Sequence, residues 1–346
     1  MLEKEKLMEG MAVHIDIPGA ARHIFGKEEG QRIANLIAER VSNLNCRKEM
    51  SYREKGHDVR AQDRVEANKE WFDDDGSGHV CWKEPFPVQI GHAGTLAAFN
   101  RYKDDDPLFT SAPEELTRTE LCERLIEETI DGQCPMPNTA IVLALNWSGT
   151  GWSGDSLWMQ NFHDGEDWSM SNGGNYYYRR IAPCWSCENQ EGHEGPWSMT
   201  PFAGCWMTDF YKCVPSPQSQ DVPAAFGSDK VLYVDANGKE TERKLSDIVD
   251  MIMLYILQNE WTVLGIRNPV IIPRNASLAT PIKGKNGKSK LRKAAENLEL
   301  LGIRVEFREL PNHKFLYEPT AYQIKDSAFN KRVRDVIDAY LAIVNG

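Results

Sequence analysis

Several apolar stretches of this chain end in polar side chains of the kinds that bind and orient ligands. Asn146 closes NTAIVLALN, and Asp209 and Lys212 lie in CWMTDFYKCV. Arg274 and Asn275 follow NPVIIP, and Asn312 and His313 follow IRVEFREL. An amide both donates and accepts hydrogen bonds, a carboxylate only accepts, and a neutral imidazole offers one donor. In open α/β sheets ligands bind in the crevice outside the carboxyl ends of the strands. If these stretches are neighbouring parallel strands, their polar ends converge on one crevice, and Asn146 sits where chemistry is expected. The plainer alternative is a core strand whose polar end meets solvent.

Two other groupings have metal-ligand spacing. Cys184 and Cys187 form a CxxC pair, and with His193 and Cys205 they would give a structural zinc its tetrahedral Cys/His set. The second half of that set lacks tight spacing. In DDDGSGHVCWKE (73–84), Asp73, Asp75, Ser77 and Glu84 occupy positions 1, 3, 5 and 12 of an EF-hand calcium loop, with Gly78 at position 6. Pro85 and Pro87 would break the exit helix, so an acidic turn is the preferred reading.

The elements that must position the strand ends follow from periodicity. Residues 139–145 are apolar except Thr139, and the turn-rich SGTGWSGDS follows Trp147, which reads as a strand buried on both faces. CWMTDFYKCV (205–214), NPVIIPRN (268–275) and IRVEFREL (303–310) supply further strands. KVLYVDANGKETERKL predicts a hairpin with Asn237 and Gly238 at its turn. Ile33, Leu36, Ile37, Val41 and Leu44 recur at helical spacing, and a second amphipathic helix is predicted near 112–131. Further helices are predicted over 246–258, over 289–301 with Gly302 closing it, and over about 328–344. Residues 73–113 read as irregular. The loop-rich segment 146–204, dense in Gly, Ser, Trp and Tyr, has the length of a functional loop. Alternation of strands and helices over 138–346 predicts an α/β layered domain with a central, mostly parallel four-stranded sheet, spanning 136–346. Residues 1–135 are expected to form a helical and irregular N-terminal extension.

Composition narrows the function classes. At 41% hydrophobic and 26% charged residues, the 346-residue chain is of ordinary globular type. No apolar run reaches the roughly 20 residues of a membrane span. The charged start MLEKEKLMEG has no signal-peptide core, which with eight cysteines points to reduced thiols or metal ligands and a cytoplasmic location. Net charge is −11, yet residues 266–346 carry +7, leaving −18 for the rest. PIKGKNGKSKLRK (281–293) has six basic residues and no acidic one, a composition suited either to phosphate contacts or to a solvated loop.

Four short segments, in order over 138–320, resemble the motifs of the uracil-DNA glycosylase superfamily. LALNWSG is similar to its first motif, a hydrophobic strand ending in a catalytic Asp or Asn, with Asn146 as the counterpart. In the mismatch-type and single-strand-selective branches that residue is Asn within G-[IM]-N-P-G. GTGWSGDSLW (149–158) resembles the Gly-Thr-Gly-Phe segment of the mismatch branch, MTDFYKCVP (207–215) the second-strand motif, and LPNHKF (310–315) the last motif, where a His precedes a DNA-intercalating loop. Trp147 stands where Pro is usual, His313 is followed by Lys-Phe rather than Pro-Ser, and the third strand lacks an Ala-Leu-Gly ending.

The resemblance implies a DNA glycosylase for base excision, needing no metal or organic cofactor and taking DNA as its partner. Cleavage of an N-glycosidic bond develops negative charge on the leaving base, which His313 would stabilise as an oxyanion-hole donor. Asn146 would hold the attacking water through its amide oxygen, an orienting role because an amide is a poor general base. The extruded base would stack on Trp152, with Trp158 and Phe162 as alternatives. Asp209, which only accepts, suits the exocyclic amino group of cytosine better than the O4 of uracil, implying a modified, cytosine-derived base and a setting in anti-phage defence. Lys283, Lys285, Lys288, Lys290 and Lys314 would meet DNA phosphates. Simpler readings stand beside these: His313 packed at a strand end, and Asp209 paired with Lys212 or Arg274. The alternative functions are a non-catalytic nucleic-acid or nucleotide-binding α/β protein, and a calcium- or zinc-stabilised interaction module with an acidic N-terminal half.

Overall fold

The computed structural model describes residues 16–54, 72–83, 92–93, 139–146, 205–212, 214, 221–227, 229–273, 275–279, 288–311, 314 and 327–346. The elements in chain order are α1 (Ile17–Phe25), α2 (Lys27–Glu54), β1 (Phe72–Asp74), β2 (Val80–Trp82), β3 (His92–Ala93), β4 (Ala140–Asn146) and β5 (Trp206–Tyr211). They continue with α3 (Asp221–Phe226), β6 (Lys230–Val234), β7 (Glu240–Lys244), α4 (Leu245–Val263), β8 (Val270–Pro273), α5 (Ala276–Ala279), α6 (Lys290–Glu299), β9 (Arg308–Glu309) and α7 (Ser327–Asn345).

Local chemistry accounts for most boundaries. The Asp16 carboxylate accepts the Gly19 N–H at 2.6 Å and caps α1, with a proline in the first turn. Ser289 caps α6 by accepting the Arg292 N–H at 3.0 Å. Gly302, at φ +79°, closes α6: its N–H bonds Glu299 O and the Ile303 N–H bonds Leu298 O, the paired bonds of a Schellman ending. The predicted hairpin is β6–β7. Its tight turn centres on Ala236 and Asn237, because Gly238 N donates to Asp235 O and Gly238 itself takes the left-handed conformation. Helix α4 is apolar on nearly every side and buried accordingly.

The main sheet has the order β3-β5-β4-β8-β9. β5, β4, β8 and β9 are mutually parallel, and β3 adds an antiparallel edge. Among the described residues the sheet is therefore that of an α/β protein with four parallel strands, joined by a fifth from a segment read as irregular. That segment also holds the β1–β2 hairpin. Both departures have one cause: two- and three-residue strands are too short to show alternation. β9 is likewise only Arg308–Glu309 rather than 303–310, and the Ile303 N–H is committed to the end of α6. Relative to β4, β5 is added on one side and β8 and β9 on the other, so the order reverses at the strand ending in Asn146.

All seven residues of β4 are buried. Ile141, Leu143 and Leu145 join Trp206, Phe210 and Ile271 in one cluster with the apolar side chains of α4 and α6. Ala140, Val142 and Ala144 point the other way, as strand alternation requires. Ile17, Ile24, Phe25, Ile33, Ile37 and Val41 of α1 and α2 belong to the same cluster as α4. The Trp82 indole donates to Ala34 O at 3.0 Å, which ties β2 to α2. Helix α7 is held by Thr139 and Tyr340, whose hydroxyls lie 2.9 Å apart, and by Arg308 donating to Ile343 O at 3.2 Å. Among the described residues no helix is long and apolar enough to cross a membrane.

Candidate functional site at the carboxyl edge of the sheet

Parallel register fixes the relation of the two central candidates. Ala144 pairs with Asp209 and Asn146 with Tyr211. Paired residues of parallel strands project to the same face, and residues two apart share a face. Asn146 and Asp209 therefore lie on one face of adjacent strands, offset by two residues, at the end of the strand where the order reverses. Both are buried, at 8% and 5% exposure. Leu145 and Trp206, of the alternate parity, project into the α4 cluster, and Tyr211 at the end of β5 also turns its hydroxyl to Asp250 on α4. The Asn146 Nδ2 donates to Val214 O at 3.3 Å, which fixes the plane of the amide and with it the direction of Oδ1.

β5 sends its other polar groups to α4. The Trp206 indole and the Thr208 hydroxyl donate to Glu260 Oε1 at 2.7 and 2.9 Å, and Lys212 Nζ lies 2.9 Å from Glu260 Oε2. Lys212 also donates to Thr208. Lys212 is thus paired with Glu260 rather than with Asp209, and this is the physical reason that the Asp209–Lys212 reading fails. Ten residues earlier on α4, Asp250 Oδ1 accepts from the Tyr211 hydroxyl at 2.6 Å. Lys290 Nζ reaches the same carboxylate at 3.0 Å and the Tyr211 oxygen at 2.9 Å. Burial pushes the Asp250 carboxyl above the ordinary aspartate range, against the opposing pull of Lys290. Burial, reinforced by the Asp250 charge, raises Tyr211 well above the ordinary phenol value.

The basic segment is less available for phosphate than its composition implies. Lys288, Lys290, Arg292 and Lys293 pair with Glu296, Asp250, Glu309 and Asp247. Lys290 is only 13% exposed, so its charge is turned inward, whereas Lys288 is 46% exposed and its pair faces solvent. Lys314 donates to Asp335 O at 3.1 Å, near α7. Lys283, Lys285, Trp152, Trp158, Phe162, His313, Asn312 and Arg274 lie outside the described residues, as does the predicted helix near 112–131.

The metal readings divide. Cys184, Cys187 and His193 lie outside the described residues, while Cys205 is buried just before β5. Residues 73–82 run through a hairpin turn between β1 and β2, not a loop between helices, and Glu84 lies outside the described residues. The carboxylates of the hairpin serve the turn itself: Asp74 accepts from Gly76 N at 2.9 Å and Asp75 from Ser77 N at 2.9 Å. That is the acidic-turn reading. Among the described residues no group of three or more His, Cys, Asp or Glu is placed to hold a metal ion.

Sequence reasoning passed over Tyr211, Asp250 and Glu260. A signal was present: DMIMLYILQNE embeds two acidic residues in an otherwise buried helix, and buried carboxylates require partners. Their partners lie across the fold, where periodicity does not reach. No protein-family model matches the chain, and neither a curated protein nor a solved structure matches it.

Proposed function

We propose that the protein is a DNA glycosylase that hydrolyses the N-glycosidic bond of a flipped, cytosine-derived base and leaves an abasic site. The observation that carries the reading is the shared face of Asn146 and Asp209 at the carboxyl edge of adjacent parallel strands. The segments that resemble glycosylase motifs fall on or directly after β4, β5 and β9 of one parallel sheet, β4 and β5 being adjacent and β8 lying between β4 and β9, and strands of one parallel sheet present their carboxyl ends on one side. In this reading Asn146 orients the water, His313 stabilises the departing base anion, and Asp209 accepts the exocyclic amino group. Trp152, Trp158 or Phe162 stacks on the base, and the exposed Lys288 with Lys283, Lys285 and Lys314 meets phosphates. Lys290 is withdrawn from that set, since its ammonium serves Asp250. The 1–135 region is an extension to the 136–346 domain, and the setting is cytoplasmic defence against DNA with modified cytosines.

The test is base release by purified protein from duplexes carrying uracil, cytosine, 5-hydroxymethylcytosine or its glucosylated form, read as alkali-labile abasic sites. Release is expected at the modified cytosines. Asn146→Ala combined with His313→Ala should lower it by about two orders of magnitude or more while DNA binding survives. Preferential cleavage at uracil would overturn the assignment of Asp209, and undiminished cleavage by the double variant would overturn the site.

A further inference from the structure

We infer that Tyr211, Asp250 and Lys290 form a positioning cluster that sets the direction of the Asn146 side chain and anchors the end of the basic segment beside the same sheet edge. The inference rests on the glycosylase reading of that edge. Tyr211 is the register partner of Asn146. Three residues further on, Val214 O receives the Asn146 Nδ2, so the direction of the amide depends on where the chain runs after Tyr211. The Tyr211 hydroxyl is fixed at 2.6 Å to Asp250 on α4, and its ring packs on Phe210 and Phe226. Lys290, the first residue of α6, completes the cluster with bonds to both partners and lies 5.5 Å from the centre of the Tyr211 ring.

Burying an ammonium and a carboxylate together brings little net stability compared with apolar residues of the same volume. What such a cluster supplies is geometry: it joins β5, α4 and α6, and its polar groups are satisfied only when all three are in place. Lys290 also follows directly on the segment carrying Lys283, Lys285 and Lys288, so the same bonds tie that segment's end to Tyr211, the register partner of Asn146. Groups of this kind, which orient a reacting side chain through a neighbour, typically change rate more than affinity.

The test compares the wild-type protein with K290M, K290R and Tyr211→Phe. Three readouts are used: hydrogen–deuterium exchange, single-turnover base release from duplexes carrying 5-hydroxymethylcytosine or its glucosylated form, and the salt dependence of binding to an unmodified duplex. K290M should speed exchange in peptides covering 206–214 and 288–292 and slow base release about tenfold. Its binding should keep the wild-type salt slope, because an ammonium held by Asp250 releases no counterion. K290R should recover most of the rate. Tyr211→Phe keeps the ring in the core and should show the same pattern more weakly, so the inference stays testable if K290M does not fold. A salt slope reduced by about one in K290M would mean that Lys290 contacts phosphate and would overturn the inference, as would unchanged exchange over 206–214. Wild-type protein that releases no base from any duplex refutes the glycosylase reading itself, and the exchange measurement still decides whether the cluster holds the edge.

Discussion

Helix α4 carries two buried carboxylates, and they do different things. Glu260 collects the Trp206 indole, the Thr208 hydroxyl and the Lys212 ammonium, all from β5 or the residue after it. It is a clamp between one strand and one helix. Asp250 collects Tyr211 from β5 and Lys290 from α6, so it joins three elements at the edge where Asn146 ends its strand. The Glu260 cluster is sealed, with Lys212 only 1% exposed, while Lys290 retains some contact with solvent. The comparison separates charge burial that registers one helix on one strand from charge burial that ties a strand to two helices.

The largest expected effect breaks the first cluster. Glu260→Leu leaves the Lys212 ammonium buried without its partner and should destabilise the fold by about 3–5 kcal/mol, read from urea unfolding. A loss below about 1 kcal/mol would show that the clamp is not structural. Lys290→Met should cost less, about 1–3 kcal/mol, because Asp250 can take a proton in place of its lost partner.

That difference has a pH signature. Asp250 titrates higher in the folded protein than in the unfolded chain, so the folded state holds a proton that the unfolded chain has released. Its contribution to stability is complete below the ordinary aspartate range and is lost as pH rises through the folded value. Lys290 opposes the rise, so Lys290→Met should extend that loss to higher pH. The difference in urea midpoint between variant and wild type should grow from acid towards neutral pH; a constant difference would contradict the account.

Smaller effects sharpen the contrast. Tyr211→Phe should remove about 1 kcal/mol, the contribution of one buried hydrogen bond, and the missing phenol should be visible in an alkaline absorbance titration. In the wild-type protein Tyr211 should ionise only well above the ordinary phenol value. Lys288→Ala, at an exposed pair, should change stability by no more than about 0.5 kcal/mol while reducing the salt slope of duplex binding by about one. A stability change like that of Lys290→Met would erase the distinction between the two lysines.

Much of the framework was legible because it rests on local rules. The run 139–145 read as a strand buried on both faces, and β5 and β8 were readable on the same grounds. Gly302 marked the end of α6, since a C-terminal cap acts within a few residues of itself. The strands β1 to β3 were not legible because their pairing, not their composition, makes them strands. Polar strand ends drew attention to Asn146 and Asp209, but their common face follows from a register that only the sheet supplies.

The basic segment shows the boundary most clearly. By itself the sequence determined that 281–293 is dense in positive charge and that 246–258, within α4, is helical. Only the tertiary structure decided that Lys290 and Lys293 of the first answer Asp250 and Asp247 of the second, 40 and 46 residues away. The reason is physical: a buried carboxylate must find a partner, but which cation reaches it depends on how α4 and α6 pack, and that is set by apolar surfaces distributed over the whole chain.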